Sequence, residues 1–221
     1  MNLAHPEMDI VFNFDSEKVN TLVIENPSFF REYLRDLDLQ IKGYNGQNVL
    51  SKDNELLNMS TCAEIIDSFI SFDINRKNLI AKLISRMESI AVSEPYYTRT
   101  AELVSDTEKY IMELGSDLTP DLSCSKISFG GILRSSGIEL PDDYENDLEK
   151  LLDYMEFVRE LDRDKLFIIV NLRSYYGDED IEKFMSSVID HENKVLLVDS
   201  FSKDILSNES RVTIDNDLCE F

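Results

Sequence analysis

Residues 165–171 form an unbroken apolar run of strand length, Lys165-Leu-Phe-Ile-Ile-Val-Asn171. A second such run is Lys194-Val-Leu-Leu-Val-Asp199, and a polar loop and a helix-spaced segment separate the two. Runs without polar alternation are typical of strands that are covered on both faces, and the strand–helix–strand order is typical of parallel sheets. Residues 211–215 are predicted to add an edge strand. The chain is therefore predicted to have an α/β fold with a mainly parallel sheet.

The N-terminal part also combines strands with helices. Residues 10–14 have an alternating pattern, and residues 19–24 are rich in β-branched side chains. A polar turn separates these two strand-like segments, which predicts a hairpin. Asn26 and Pro27 then suit the N-cap and first position of a helix. Apolar spacing predicts a further helix over residues 61–71.

A long helical insertion interrupts this α/β pattern. Apolar residues recur at helical spacing over residues 76–92, 101–114, 126–136 and 143–161. Repeated spacing of this kind is typical of antiparallel helices that pack on each other. We therefore assign residues 1–72 and 162–221 to an α/β head and residues 73–161 to the insertion.

The composition excludes several classes of protein. Apolar residues are 43% of the chain, so it can form a core, and the net charge of −22 disfavours contact with nucleic acid or anionic membrane unless positive charge is locally concentrated. No apolar run approaches the ~18 residues of a membrane span. Three scattered cysteines and an N-terminus without a signal-peptide pattern indicate a reducing, cytoplasmic location.

The sequence contains no recognisable catalytic motif. Neither GxxxxGK[ST] nor GxGxxG occurs, and the turn after the strand at 19–24 carries Glu25 and Pro27, which disfavour phosphate. Asp199 ends its strand where a magnesium-binding acid of an ATPase would stand, but such acids more often cap turns. His5 and His191 have no evident nucleophile partner. We expect a protein that is not an enzyme, and a cryptic ATPase is the disfavoured alternative.

Basic residues concentrate on the helix predicted over residues 76–92. Lys82 and Arg86 fall side by side next to the apolar stripe, and Arg76 and Lys77 stand at the start of the helix. This pattern suits a strip that follows a phosphate backbone, and an ordinary solvated face with intrahelical pairs is the alternative.

Acidic residues gather near the far turn of the insertion: Glu113, Asp117 and Asp121. Oxygen ligands in a loop suit a hard cation such as calcium. These acids lack EF-hand spacing, so a solvated loop is the alternative.

Taken in order, several segments resemble the accessory adaptation protein of type II-A CRISPR systems. These segments are Leu22-Val-Ile-Glu-Asn26 after the predicted hairpin, Ile70-Ser-Phe-Asp-Ile-Asn75 leading into Leu79-Ile-Ala-Lys-Leu-Ile84, and Lys165-Leu-Phe-Ile-Ile-Val-Asn171 with Lys194-Val-Leu-Leu-Val-Asp-Ser-Phe201. The resemblance runs nearly end to end, and it rests on the order and spacing of these segments.

The resemblance implies a RecA-like, P-loop-like head without a working phosphate loop and with a helical leg inserted in it. It also implies a homotetrameric ring that binds the ends of linear double-stranded DNA through a lysine- and arginine-lined hole during spacer acquisition, a step of antiviral defence. Calcium would support the ring, and the partners would be the two integrase subunits and the large RNA-guided nuclease.

The chain departs from the family pattern in two respects. In the turn over residues 115–126 only Asp117 and Asp121 are acidic, and Lys126 replaces a usual acid, which weakens the expectation of calcium. DNA could enter a ring of such acidic chains only if basic residues line the hole. An acidic scaffold that binds only protein partners is therefore the alternative to a DNA-binding ring.

Overall fold

The computed structural model describes residues 1–6, 8–69, 72–116 and 126–220. The chain forms two compact units, an α/β unit of residues Met1–Phe72 and Tyr144–Phe221 and a helical unit of residues Asp73–Asp143. The last helix that the sequence analysis assigned to the insertion therefore belongs to the α/β unit.

The described residues form nine strands, seven α-helices and one 3₁₀ helix (Leu172–Ser174). The strands are β1 (Asn2–His5), β2 (Ile10–Asn13), β3 (Val19–Ile24), β4 (Val49–Lys52), β5 (Glu55–Leu56), β6 (Ala63–Ile66), β7 (Leu166–Val170), β8 (Lys194–Asp199) and β9 (Glu209–Ile214). The helices are α1 (Pro27–Ile41), α2 (Met59–Cys62), α3 (Lys77–Ala91), α4 (Tyr97–Gly115), α5 (Phe129–Ser135), α6 (Asp147–Leu161) and α7 (Asp178–Asp190).

A five-stranded sheet in the order β6-β7-β8-β3-β9 is the centre of the α/β unit. Every neighbouring pair in it is parallel. All side chains of β3 and β7 are buried, as expected for strands covered on both faces. The predicted α/β class and the edge position of the last strand are confirmed.

The α/β unit also contains a separate, four-stranded antiparallel sheet in the order β2-β1-β4-β5. The predicted hairpin of residues 10–14 and 19–24 is wrong, because β2 pairs with β1 and β3 enters the parallel sheet. All six residues of β3 are buried. A central strand of a covered sheet can bury both of its faces, whereas a two-stranded ribbon cannot, so the central position is more stable.

The helix predicted over residues 61–71 is also wrong where the structure describes it. Residues 63–66 form strand β6, which pairs with β7 along its whole length. Apolar residues in a short run fit both helical and strand spacing, and the parallel partner decides in favour of the strand.

The core of the α/β unit lies on both faces of the parallel sheet. On one face Tyr33 and Leu37 of α1 join alternate residues of β3, β7 and β8 and the inner residues of the antiparallel sheet. On α7 the buried stripe consists of Ile181, Phe184, Met185 and Val188. On α6 Tyr154 stacks edge-on against Phe72 at 4.9 Å between ring centroids and donates a hydrogen bond to Oε1 of Glu64 at 2.6 Å. These contacts explain why α6 belongs to this unit.

The helical unit contains α3, α4 and α5. Helices α3 and α5 approach closely at Gly130, where an added Cβ would clash with the carboxylate of Glu88. The N-cap of α5 is Ser128, whose Oγ accepts a hydrogen bond from the amide of Gly131 at 3.1 Å.

Candidate nucleic-acid interface

Helix α3 presents most of the basic residues that the sequence singled out. Lys77, Lys82 and Arg86 are exposed, whereas Arg76 is half-buried at the N-cap position. The carbonyl of Arg76 accepts the first helical hydrogen bonds, from the amides of Leu79 and Ile80. The buried stripe of α3 includes Leu79 and Ile84, so the helix is oriented by its apolar side.

Only two of the four basic residues lie side by side. Because a helix turns by ~100° per residue, Lys82 and Arg86 are about 40° apart around its axis, whereas Lys77 is about 140° from Lys82. Ser85 and Ser89 are exposed beside the pair, and the hydroxyl of Ser89 bonds the carbonyl of Ser85 at 3.0 Å. We call the exposed side formed by Lys82, Ser85, Arg86 and Ser89 the cationic strip.

The single acid of α3, Glu88, is neutralised by another helix. Nη1 of Arg134 on α5 lies 3.4 Å from Oε1 of Glu88. Glu88 also lies away from the cationic strip, about 120° from Lys82 around the helix. No local sequence pattern singles out Arg134, because only tertiary packing places it beside α3.

The cationic strip stands out in an acidic chain. Residues 73–143 contain 8 basic and 12 acidic residues, whereas the rest of the chain contains 14 and 32. The stretch from Arg76 to Glu88 has four basic residues and one acid. Among the described residues, neither Lys77 nor Arg86 forms an ion pair, so their charges are available to phosphate.

The acidic residues proposed as metal ligands are not assembled by the described part of the chain. Glu113 is exposed in the last turn of α4, and its carbonyl accepts hydrogen bonds from the amide and hydroxyl of Ser116. Asp117 and Asp121 lie outside the described residues. Within residues 1–6, 8–69, 72–116 and 126–220, no three His, Cys, Asp or Glu residues are grouped as for a metal. The calcium site stays a prediction.

The N-terminus of α1, where a nucleotide-binding head would hold phosphate, is occupied by its own cap. Oδ1 of Asn26 accepts hydrogen bonds from the amides of Ser28 and Phe29, each at 3.1 Å. Pro27 contributes no amide donor. These donors are satisfied internally, so the local chemistry disfavours a phosphate at this helix.

The polar residues that end β7 and β8 are engaged or buried. Oδ1 of Asn171 accepts hydrogen bonds from the amide and hydroxyl of Ser200. Asp199 is 1% exposed, and its Oδ1 has no hydrogen-bond partner among the described residues. Burial raises the pKa of Asp199 to about 6, and the nearby Arg173 guanidinium opposes this shift.

Each of the two histidines contacts a side chain that is not a serine or cysteine nucleophile. His5 lies buried in β1, and its ring centroid is 5.7 Å from that of Tyr33. Nε2 of His191, at the C-terminal end of α7, lies 3.1 Å from Oε1 of Glu156. In the part of the chain that the structure describes, no helix is long and apolar enough to cross a membrane.

Helix α4 has a large exposed apolar surface. Its C-terminal half exposes Tyr110, Ile111, Met112 and Leu114, and the helix buries only Gly115 among its described residues. Tyr110 and Leu114 are about one helical turn apart and share one side of α4. Ile111 and Met112 lie about 100° and 160° away from Tyr110 around the helix.

The fold defines an α/β protein with a net-acidic helical unit, in which helix α3 carries the cationic strip. The sequence model of the CRISPR-associated protein (Cas_Csn2) family matches residues 40–218. The chain therefore belongs to the Csn2 family of CRISPR-associated proteins, as the resemblance predicted.

One similar solved structure is that of Stu0660 of Streptococcus thermophilus. It aligns with a TM-score of 0.54 and 13% sequence identity, over 96% of this chain and 74% of that one. At this identity the likeness concerns the fold. A comparison with curated proteins found no match.

Proposed function

We propose that this protein is a non-catalytic DNA-binding member of the CRISPR adaptation machinery. It assembles as a homotetrameric ring and binds the ends of linear double-stranded DNA during spacer acquisition. Its partners in that step are the integrase subunits and the large RNA-guided nuclease. Family membership supports a role in CRISPR adaptation, and the chemistry of the helical unit supports the DNA-binding part.

The observation that carries the proposal is the cationic strip on α3. Lys82 and Arg86 are exposed on one side of the helix, and Glu88, the only acid of α3, faces elsewhere and is paired with Arg134. The rise of ~1.5 Å per residue separates Lys82 from Arg86 by about 6 Å along the helix, a spacing that allows each to contact a different phosphate.

Self-association is supported by α4. Tyr110, Met112 and Leu114 are exposed apolar side chains on one helix of an otherwise strongly charged chain. Pairing of copies through such a surface would bury it and bring several cationic strips into one assembly. Repeated strips would concentrate positive charge locally, which DNA requires in a chain of net charge −22.

Binding to linear and to closed circular duplex of the same sequence tests the proposal directly. Gel shifts at low salt are expected with the linear form only, and affinity should fall steeply as salt rises, because phosphate contacts release counterions. Light scattering with and without calcium should give a tetrameric mass and show whether calcium supports it. Equal binding of both DNA forms, or no binding at low salt, would contradict the proposal.

A protein-only scaffold is the second candidate, and the acidity of the α/β unit favours it. Outside residues 73–143 the chain has 32 acidic and 14 basic residues, a surface that repels DNA and suits basic protein partners. This alternative predicts a tetrameric mass without any DNA shift.

A further inference from the structure

The helical unit contains an open cavity of about 400 Å³ between α3, α4 and α5. Its lining is largely apolar and includes Met87 and Ile90 of α3, Leu103 of α4 and Phe129 of α5. Tyr96 and Arg99 stand at the start of α4 and complete the lining. We call this cavity the Tyr96 groove.

Two side chains at this groove have the chemistry that recognises unpaired bases. Tyr96 is 53% exposed although it is a large aromatic residue. Arg99 is exposed and forms no ion pair among the described residues. Exposed aromatic rings stack on nucleobases, and guanidinium groups stack on bases or bind the adjoining phosphate.

The groove continues the cationic strip along α3. Ile90, which lines the groove, is one helical turn beyond Arg86, about 6 Å along the axis. A DNA strand whose phosphates contact Lys82 and Arg86 would therefore reach the groove within one or two nucleotides. Positive charge on the approach and an aromatic wall at its end are complementary to a nucleic-acid terminus.

The neighbouring groove of the same unit also has a tyrosine and a basic residue, but it differs from the Tyr96 groove by a carboxylate in its lining. Tyr97, Val104, Glu108 and Lys126 are among its lining residues, and Oε1 of Glu108 accepts a hydrogen bond from the amide of Ile127 at 3.0 Å. A fixed carboxylate repels phosphate. Tyr97 is as exposed as Tyr96 but belongs to this second groove, so the two adjacent tyrosines differ mainly in their surroundings.

From these observations we infer that the Tyr96 groove holds an unpaired nucleobase at the end of bound DNA, stacked on the Tyr96 ring. The inference rests on the proposed function, because DNA must first bind along the cationic strip. It adds a specificity: ends with a frayed or overhanging nucleotide bind more tightly than blunt ends. A cavity of about 400 Å³ is large enough for one planar base.

The test compares duplexes that are identical except for their ends. Fluorescence anisotropy measures the affinity of a blunt duplex and of the same duplex with a short 3′ or 5′ overhang, for the full-length protein and its variants. Stacking on one aromatic ring predicts a preference for the overhang of about 5- to 150-fold. The preference should persist as salt rises, whereas the affinity for both duplexes falls.

Three variants assign the preference to the groove. Tyr96→Ala should abolish the preference by lowering the affinity for the overhanging duplex to that for the blunt duplex, and Tyr96→Phe should retain it, because the ring is enough for stacking. Tyr97→Ala, the matched control, should behave like the unchanged protein. An overhang with 5-iodouracil at its tip should photocrosslink to Tyr96.

The outcomes separate the two proposals. If the blunt duplex does not bind at all, the proposed function fails. If blunt and overhanging duplexes bind equally well, or if Tyr97→Ala removes the preference and Tyr96→Ala does not, DNA binding stands and the inference about the Tyr96 groove is wrong.

Discussion

Arg173 and Glu209 form an ion pair in the interior of the α/β unit, with Nη1 of Arg173 3.5 Å from Oε2 of Glu209. Their side chains are 2% and 0% exposed. Arg211 contacts the same carboxylate through Oε1, at 2.7 Å. The two guanidinium groups also bond the carbonyl of Asp204, so Glu209 sits beneath the connection between β8 and β9 and helps to hold it.

Removal of the Glu209 charge should strongly destabilise the fold. Glu209→Gln removes the carboxylate that the two buried guanidinium groups share, and among the described residues only Arg173 keeps another carboxylate partner, Asp178 at 2.9 Å. Breaking a buried ion pair typically costs about 3–5 kcal/mol of the free energy of unfolding. Urea denaturation followed by circular dichroism measures this loss.

The control for Glu209→Gln is the exposed pair of Lys183 and Glu179, 2.7 Å apart on α7. Glu179→Gln should cost less than about 1 kcal/mol, because water screens exposed charges. Similar losses for Glu209→Gln and Glu179→Gln would show that the buried pair is not stabilising.

Asp199 should make stability depend on pH. Its pKa is raised in the folded protein to about 6 from 3.8, so the folded state takes up a proton before the unfolded state does. The contribution of Asp199 to stability therefore increases as pH falls from about 7 towards 4, by about 1.4 kcal/mol for each unit of pKa difference.

Asp199→Asn removes this titration. The gain in unfolding free energy from Asp199→Asn should be larger at pH 8 than at pH 4.5, as measured by urea denaturation of both proteins at each pH. A difference between the two proteins that is constant from pH 4.5 to 8 would be inconsistent with a raised pKa.

The salt dependence of DNA binding should show whether the residues of the cationic strip contact phosphates. Lys82→Ala and Arg86→Ala should each lower the slope of log K against log salt by about one, because each removes one phosphate contact. Anisotropy titrations on blunt duplex at several salt concentrations give the slope. Lys183→Ala in the α/β unit is the control, and an equal change for it would argue against the strip.

The exposed residues of α4 should control assembly. Leu114→Asp places a charge on a 62% exposed leucine, so the fold of one copy should be retained while copies no longer associate through α4. Light scattering is expected to show a smaller particle. Leu56→Asp, on the exposed strand β5, is the matched control. A tetramer that survives Leu114→Asp would place the interface elsewhere.

The parts of the fold that could be predicted from sequence are those with strong local patterns. The apolar runs at β7 and β8 and the spacing on α3, α4 and α6 each indicate one element without reference to the rest of the chain. The pairing of β2 with β1, and the strand at Ala63–Ile66, depend on partners distant in sequence, and local patterns favoured other structures there.

In the candidate site, too, some features could be predicted from local sequence patterns and others could not. Lys82 and Arg86 are four positions apart on one helix, so their proximity follows from helical geometry. Arg134 beside Glu88, and Tyr96 in a groove with Phe129, depend on how α4 and α5 pack against α3, and no local spacing encodes that packing.

The N-cap at Asn26 bears on whether a bound nucleotide could drive the protein's binding cycle. Because the amides of Ser28 and Phe29 are already bonded to Asn26, a triphosphate would have to displace a side chain that belongs to the helix itself. Under the proposed function, a cycle of DNA capture and release would then draw no work from a nucleotide bound at this helix. Its direction would come from mass action, that is, from the supply of free DNA ends and from the machinery that removes them.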